Sequence, residues 1–230
     1  MLRKEDEEWL ERAHPRLVPD ATGITGILTF RATYNPGISR FLLLADGVPD
    51  TVGGVTLCGE FTIRITQRRD ASGSALPALH VDGVDAIADR HFGQGIACLC
   101  SPFEEGEFLQ PEFSLRKYIE ELVVPFLYAQ VFYSDNKCWP WPEYSHGAVG
   151  LLESYAKRPE EIDAGECLRW LRAQGVWQRV RAALAQKSNI GGHTPCFCPK
   201  KEPMRRCHPE ALRGAQLLRE EIRASKIEIP

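Results

Sequence analysis

The segment "PCFCPKKEPMRRCHPE", residues 195–210, constrains the chain more than any other. Cys196 and Cys198 flank a single residue, and Cys207 and His208 follow after eight more. Four soft or borderline ligands so close together can close a tetrahedron around zinc, with thiolates at about 2.3 Å and an imidazole at about 2.0 Å. The intervening "PKKEPMRR" is long enough to turn back, and its four cations offset the negative charge of three thiolates. A lone Cys-x-Cys would carry little weight, but four ligands at this spacing carry a good deal. Such a segment has little other means of folding, so metal is expected to supply its stability. Removing the metal is then expected to unfold the tail and leave the first 157 residues folded. Four protein ligands leave no position for an activated water, which argues against a zinc hydrolase.

The 230-residue chain as a whole is 43% hydrophobic and 26% charged, the composition of an ordinary globular protein with a sizeable core. The net charge of −3 and the absence of a lysine/arginine field argue against a nucleic-acid partner. No run approaches the 18 or so apolar residues of a membrane span. The opening "MLRKEDEEWLERAHPRL" lacks the apolar centre of a signal peptide, so a cytoplasmic location with reduced thiols is expected.

Periodicity sets out the elements. Residues 4–14 read as a helix with Trp9, Leu10 and Ala13 on one side. Alternation over Ile27–Tyr34 places Leu28, Phe30, Ala32 and Tyr34 on one strand face, and "NPG" at 35–37 breaks the strand. Ser39–Ala45 reads as a further strand. In "VTLCGEFTIRITQ", Val55, Leu57, Phe61, Ile63 and Ile65 point one way, which puts Cys58 on the outer face. A Gly/Ser/Ala loop follows near 71–76. Leu115, Tyr118, Ile119, Leu122, Phe126 and Ala129 form the stripe of a long helix over 113–132, where Pro125 should kink or end it. Shorter helices are expected at 147–157, 159–173 and 176–186, and a last one at 209–225 starts on Pro209. Trp139 and Trp141, with their prolines, read as a loop packed over the core. Together these give an α+β fold, an antiparallel sheet with flanking helices, divided as a domain over 1–157, a helical extension over 158–188 and a zinc module over 189–230.

The stretch "RHFGQGIACLCSP", residues 90–102, holds a second Cys-x-Cys. Cys98 and Cys100 have three readings: ligands of a second metal with His91, His146 or Cys138; buried packing residues; or one of them a nucleophile. A thioester carrier needs an accessible thiol that can attack an acyl group and later leave. A strong general base beside that thiol would waste the thioester to water. Nothing here resembles a hydrolase nucleophile elbow or a protease Cys-His spacing.

Two resemblances extend this reading. The tail resembles the SEC-C motif, a small zinc-binding element, ligand for ligand at Cys196, Cys198, Cys207 and His208, with "PKKEP" in place of the usual glycine-rich insert. In that family the element is a docking appendage. The order of helix, antiparallel strands, irregular histidine segment, Gly-x-x-Cys-Leu and long helix resembles the ubiquitin-conjugating enzymes over roughly residues 4–157. His91, Gly95, Cys98 and Leu99 match the family signature, and the diverged bacterial members encoded in defence operons are the most similar. The resemblance implies that Cys98 accepts a ubiquitin-like protein as a thioester from a ubiquitin-activating-like enzyme and passes it to a target protein. His91 would shape the loop, and His146 would face Cys98 and tune its proton affinity. The family's His-Pro-Asn reads His91-Phe92-Gly93 here, so the asparagine that assists attack on the thioester has no counterpart. A non-catalytic module that docks a ubiquitin-like protein on the same fold is the alternative.

Overall fold

The strict alternation over residues 55–66 makes one long strand, and the rest of the sheet is built on it. The computed structural model describes residues 3–45, 49–68, 75–85, 87–110 and 112–230. β2 (Gly23–Asn35) and β4 (Val55–Thr66) pair antiparallel from Gly23 opposite Thr66 to Tyr34 opposite Val55. Leu28, Phe30, Ala32, Ile63 and Ile65 are buried, whereas Cys58, Glu60, Thr62 and Arg64 are exposed on the other face, as a side-chain period of two requires. Thr33 departs from the pattern and is buried. β1 (Leu17–Pro19) and β3 (Arg40–Leu43) both pair with β2, and β5 (Ala78–Val81) pairs with β4, which completes a five-stranded antiparallel sheet. Residues 71–74 of the expected loop lie outside the described residues.

α1 (Lys4–Ala13) buries Trp9 and Leu10. Ala13 is exposed, and Asp6 is buried instead, held by Arg3 at 2.9 Å. The long helix begins at Ser114, whose hydroxyl accepts the Lys117 N–H at 3.3 Å. It runs as α3 (Leu115–Tyr118), a π turn over Ile119–Val123, and α4 (Val124–Asn136). Pro125 therefore does not end the helix. Its missing N–H leaves the Glu121 carbonyl without its usual partner, and its ring would press on that carbonyl. The wider π turn just before it relieves both. Every residue of the expected stripe is buried, and so are Val123, Val124, Leu127 and Tyr128, because the helix packs on the sheet through more than one face. The Tyr118 hydroxyl donates to Pro77 O at 2.8 Å and the Tyr128 hydroxyl to Val55 O at 2.7 Å.

The chain divides into two compact units, Met1–Cys100 with Glu104–Pro142, and Ser101–Phe103 with Glu143–Pro230. The helix at 147–157, which the sequence grouped with the first domain, packs in the second unit: α5 (Gly147–Lys157) lies along α9 (Pro209–Ala224). α6 (Ala164–Arg172), α7 (Trp177–Ala185) and α8 (Met204–Cys207) complete that unit, while α2 (Glu105–Leu109) belongs to the first. The α5–α9 approach depends on Gly214, where a side-chain carbon would run into the carbonyl of Leu152. In an open helix, Gly→Ala would gain about 1 kcal/mol in propensity. Forcing an extra carbon into a filled contact costs about 1–3 kcal/mol, which outweighs that gain against a backbone carbonyl that cannot swing aside. Gly214→Ala is expected to lower the thermal midpoint of the second unit; a raised midpoint would mean that the helices are not in close contact there.

Candidate functional site

The first candidate lies in the first unit, where a small hairpin presents Cys98. The carbonyl of Ile87 accepts the N–H groups of Arg90 and Phe92, at 3.0 and 3.2 Å. Phe92 is buried edge-on to Phe126, with ring centroids 5.4 Å apart, and anchors the segment to the long helix. β6 (Phe92–Gly93) and β7 (Ile96–Ala97) then pair antiparallel. Their two connecting residues, Gln94 at φ 54° and Gly95 at φ 79°, are both left-handed, the pattern of a type I′ turn whose twist suits a tight hairpin. What the sequence presented as an irregular histidine segment is therefore a tight hairpin. The turn is tied to β5, because His80 Nδ1 lies 3.2 Å from Gly95 O and must carry the proton to bond a carbonyl.

Cys98 leaves this hairpin with its N–H bonded to His91 O at 2.7 Å. The residue is exposed, but its sulfur lies over Gly93, 3.9 Å from where a side-chain carbon there would sit. Burial of the sulfur pushes the Cys98 thiol up, against the opposing pull of the Gly93 N–H and the Arg68 charge. The residue as a whole nonetheless faces solvent. Cys100 is different. It is half-buried against the core of the first unit, and burial, reinforced by Glu105, Glu104 and Glu107, pushes its thiol far above the ordinary cysteine range. Two cysteines that look equivalent in sequence are thus unequal in access and in ionisation.

His91 meets Cys98 through its carbonyl, and it holds a left-handed φ of 57° that few non-glycine residues adopt. Its ring stands edge-on to Trp139 at 5.0 Å. Trp139 in turn lies 4.5 Å from Tyr133, and the guanidinium of Arg90 covers that tyrosine at 5.0 Å. Trp141 packs among Tyr34, Phe41 and Tyr128. His146 belongs to the second unit, where it is the exposed residue preceding α5, in an extended conformation at φ −83° and ψ 155°. Cys58 and Cys138 are exposed; Cys167 is buried, and burial, with help from Glu166, pushes its thiol up to about 12, as suits a packing residue.

The second candidate is the Cys/His cluster. Its turn is closed by backbone bonds from Cys196 N–H to Glu202 O at 2.8 Å and from Met204 N–H to Thr194 O at 2.9 Å, with Lys201 left-handed at φ 55°. α8 then delivers Cys207, and Pro209 starts α9 immediately after His208. Cys196 Sγ lies 3.1 Å from His208 Nδ1, and Cys198 Sγ lies 3.5 Å from Cys207 Sγ. All four ligand atoms fall within 4.8 Å of one another. Thiolates about 2.3 Å from a tetrahedral ion stand about 3.8 Å apart, so the spacing fits one metal. Burial and the neighbouring thiols push Cys207 up to about 12. A bound cation supplies the charge that lets such thiols ionise. Among the described residues no other group of three or more such ligands is brought together, so a second metal at Cys98 and Cys100 has no geometric support.

Residues the sequence did not single out hold this cluster in its unit. Arg219, buried on α9, donates to Asn189 Oδ1 at 3.2 Å and to Gln186 O. Arg223 reaches Gln186 O at 2.7 Å and Lys187 O at 3.2 Å, and Gln216 donates to Ile190 O at 2.7 Å. These bonds satisfy carbonyls of the segment that follows α7 and fix its path into the cluster. Comparison with family models, with curated proteins and with solved structures gives no match. No helix among the described residues is long and apolar enough to cross a membrane.

Proposed function

We propose that this protein is a ubiquitin-conjugating-like carrier that accepts a ubiquitin-like protein on Cys98. The observation that carries the reading is the contrast within the Cys-x-Cys: Cys98 is exposed at the end of a fixed hairpin, whereas Cys100 packs against the core. An antiparallel sheet backed by one long helix, with the cysteine between them in sequence, is further support. In the loading step the Cys98 thiolate attacks the carbonyl carbon of a thioester held by a ubiquitin-activating-like enzyme. A new C–S bond forms and the activating enzyme's cysteine leaves as a thiolate. In the transfer step an amine of a target protein attacks the same carbon, Cys98 leaves as a thiolate, and the amine's proton passes to solvent. The raised proton affinity of Cys98 slows loading, and it also suppresses thiolate side reactions between turnovers.

In the second unit the cluster is read as a structural zinc site held by Cys196, Cys198, Cys207 and His208. Three cysteines and a histidine form a closed set, which suits scaffolding and not catalysis. His91 shapes the turn before Cys98. A location in the cytoplasm and a role in antiviral defence would fit a carrier of this kind.

The test of Cys98 over Cys100 is direct. The protein is mixed with its activating enzyme, ATP and the ubiquitin-like partner, and the products are separated with and without dithiothreitol. Wild type and Cys100→Ser are expected to form the same reductant-sensitive adduct. Loss of the adduct in Cys100→Ser alone would assign the thioester to the other sulfur. The second reading, a docking module without chemistry, is favoured by His91-Phe92-Gly93, which lacks the family's asparagine. It predicts that wild type binds the ubiquitin-like protein without forming any adduct.

A further inference from the structure

The "CWPWP" segment at 138–142 has no part in the chemistry described so far, yet it touches both the core and the Cys98 hairpin. Trp141 is its anchor, stacked at 5.9 Å on Tyr128, whose hydroxyl is bonded to β4, and set edge-on to Tyr34 at 5.0 Å. One proline away, Trp139 is half-exposed and reaches His91 on one side and Tyr133 on the other. Tyr133 is itself held by Arg90, which bonds Gln130 Oε1 at 3.1 Å and Ser134 Oγ at 3.1 Å on the same helix. Gln130 returns a bond from Nε2 to Arg90 O at 3.0 Å. The end of α4 thus holds Arg90 through its guanidinium, and Trp139, just beyond the helix, holds His91 through its ring.

We propose that Trp139 is a positioning residue for Cys98: by packing on the His91 ring it holds His91 in its left-handed conformation, and so fixes the carbonyl that receives the Cys98 N–H. The role rests on the reading of Cys98 as the acceptor, and Trp139 touches no reacting atom. A left-handed non-glycine residue persists only where its surroundings over-determine it. Here the ring contact is one such constraint, and the hairpin closing at Phe92–Ala97 is another. Removing the ring contact frees His91 to relax, which loosens the bond to Cys98 and moves its sulfur away from Gly93. The sulfur then gains water, and because burial is the larger influence on it, this outweighs the lost pull of the Gly93 N–H and leaves the sulfur more like that of an ordinary exposed cysteine.

Alkylation of Cys98 by iodoacetamide, followed against pH by peptide mass spectrometry, tests this without a modifier or activating enzyme. Its failure is therefore distinct from failure of the carrier reading. In Trp139→Ala the apparent proton affinity of Cys98 should fall toward that of an ordinary exposed cysteine, with a matching gain in thiolate and in alkylation rate at neutral pH. Trp139→Phe, which keeps an aromatic face for His91, should retain the wild-type profile. His91→Asn tolerates the left-handed backbone but has no imidazole ring, and it should reproduce Trp139→Ala. The double variant Trp139→Ala/His91→Asn should show no more than the single change, as expected when two residues act as one unit. A wild-type profile in a folded Trp139→Ala protein would overturn the proposal. So would additive shifts in the double variant, or a Trp139→Phe protein that behaves like Trp139→Ala.

Discussion

With zinc held by the Cys/His cluster as proposed, its chelation is expected to unfold the second unit as a whole while the first stays folded. Cys196, Phe197 and Met204 do not sit in a separate appendage. They share one buried core with Leu152 and Tyr155 of α5, Leu168 of α6, Val180 and Leu184 of α7 and Leu218 of α9. Apparent binding energies of structural zinc in small peptide modules reach about 10–16 kcal/mol, and where the site exists only in the folded state that energy is folding energy. A typical domain is stable by only about 5–15 kcal/mol, so loss of the metal removes an amount comparable to the whole. Hydrogen exchange after chelation, or in Cys196→Ser/Cys207→Ser, should show protection lost from α5 through α9 and retained in the sheet and long helix of the first unit. Protection that persists over α5, α6 and α7 would mean that the helices stand without the cluster. The purified protein should carry about one zinc per chain, which metal analysis reads directly.

In the first unit a large effect is expected from Leu122→Ala. Leu122 lies in the π turn, buried on the expected stripe, with Ile119 and Phe126 as its neighbours one turn away. Deleting three buried carbons loses their transfer energy and leaves a cavity that the surroundings fill only in part. The cost is about 2–5 kcal/mol, well above the half kcal/mol or so of a surface change. Urea unfolding should show a lower midpoint with the slope unchanged. An unchanged midpoint would put the stripe at the surface.

Much of this architecture was legible in residue patterns, because burial enforces them locally. The period-two run over 55–66 and the 3.6-period stripe over 115–129 each name a face. The structure buries the whole of the second; of the first it buries Ile63 and Ile65, half-buries Leu57 and Phe61 and leaves Val55 exposed at the strand's start. The candidate metal-binding set was legible for another reason: tetrahedral closure demands ligand types at short spacing, and the four side chains do converge. The hairpin at 92–97 was hidden because its turn is "Gln94-Gly95", without the Asn-Gly or Asp-Gly that usually marks a type I′ turn. The domain boundary was hidden because it rests on long-range packing. Nothing local says that α5 belongs with α9, and the Gly214–Leu152 contact that joins them spans more than 60 residues. For the same reason the metal segment read as an independent tail, and the expectation that metal loss would spare everything before 157 gives way to a dependence that includes α5. The unequal environments of Cys98 and Cys100 were also out of reach, since the carboxylates that act on Cys100 come from α2 and the residue that precedes it.

The central claim is that the Cys98 sulfur takes an acyl group, and Cys98→Ser tests it most directly. With the activating enzyme, ATP and the ubiquitin-like partner, wild type should give an adduct that dithiothreitol removes, mapped by tandem mass spectrometry to residue 98. A serine there can form only an oxygen ester. Cys98→Ser should therefore give either no adduct or one that dithiothreitol leaves intact and hydroxide cleaves. A reductant-sensitive adduct that persists in Cys98→Ser would contradict the account, because the thioester would then lie on another sulfur.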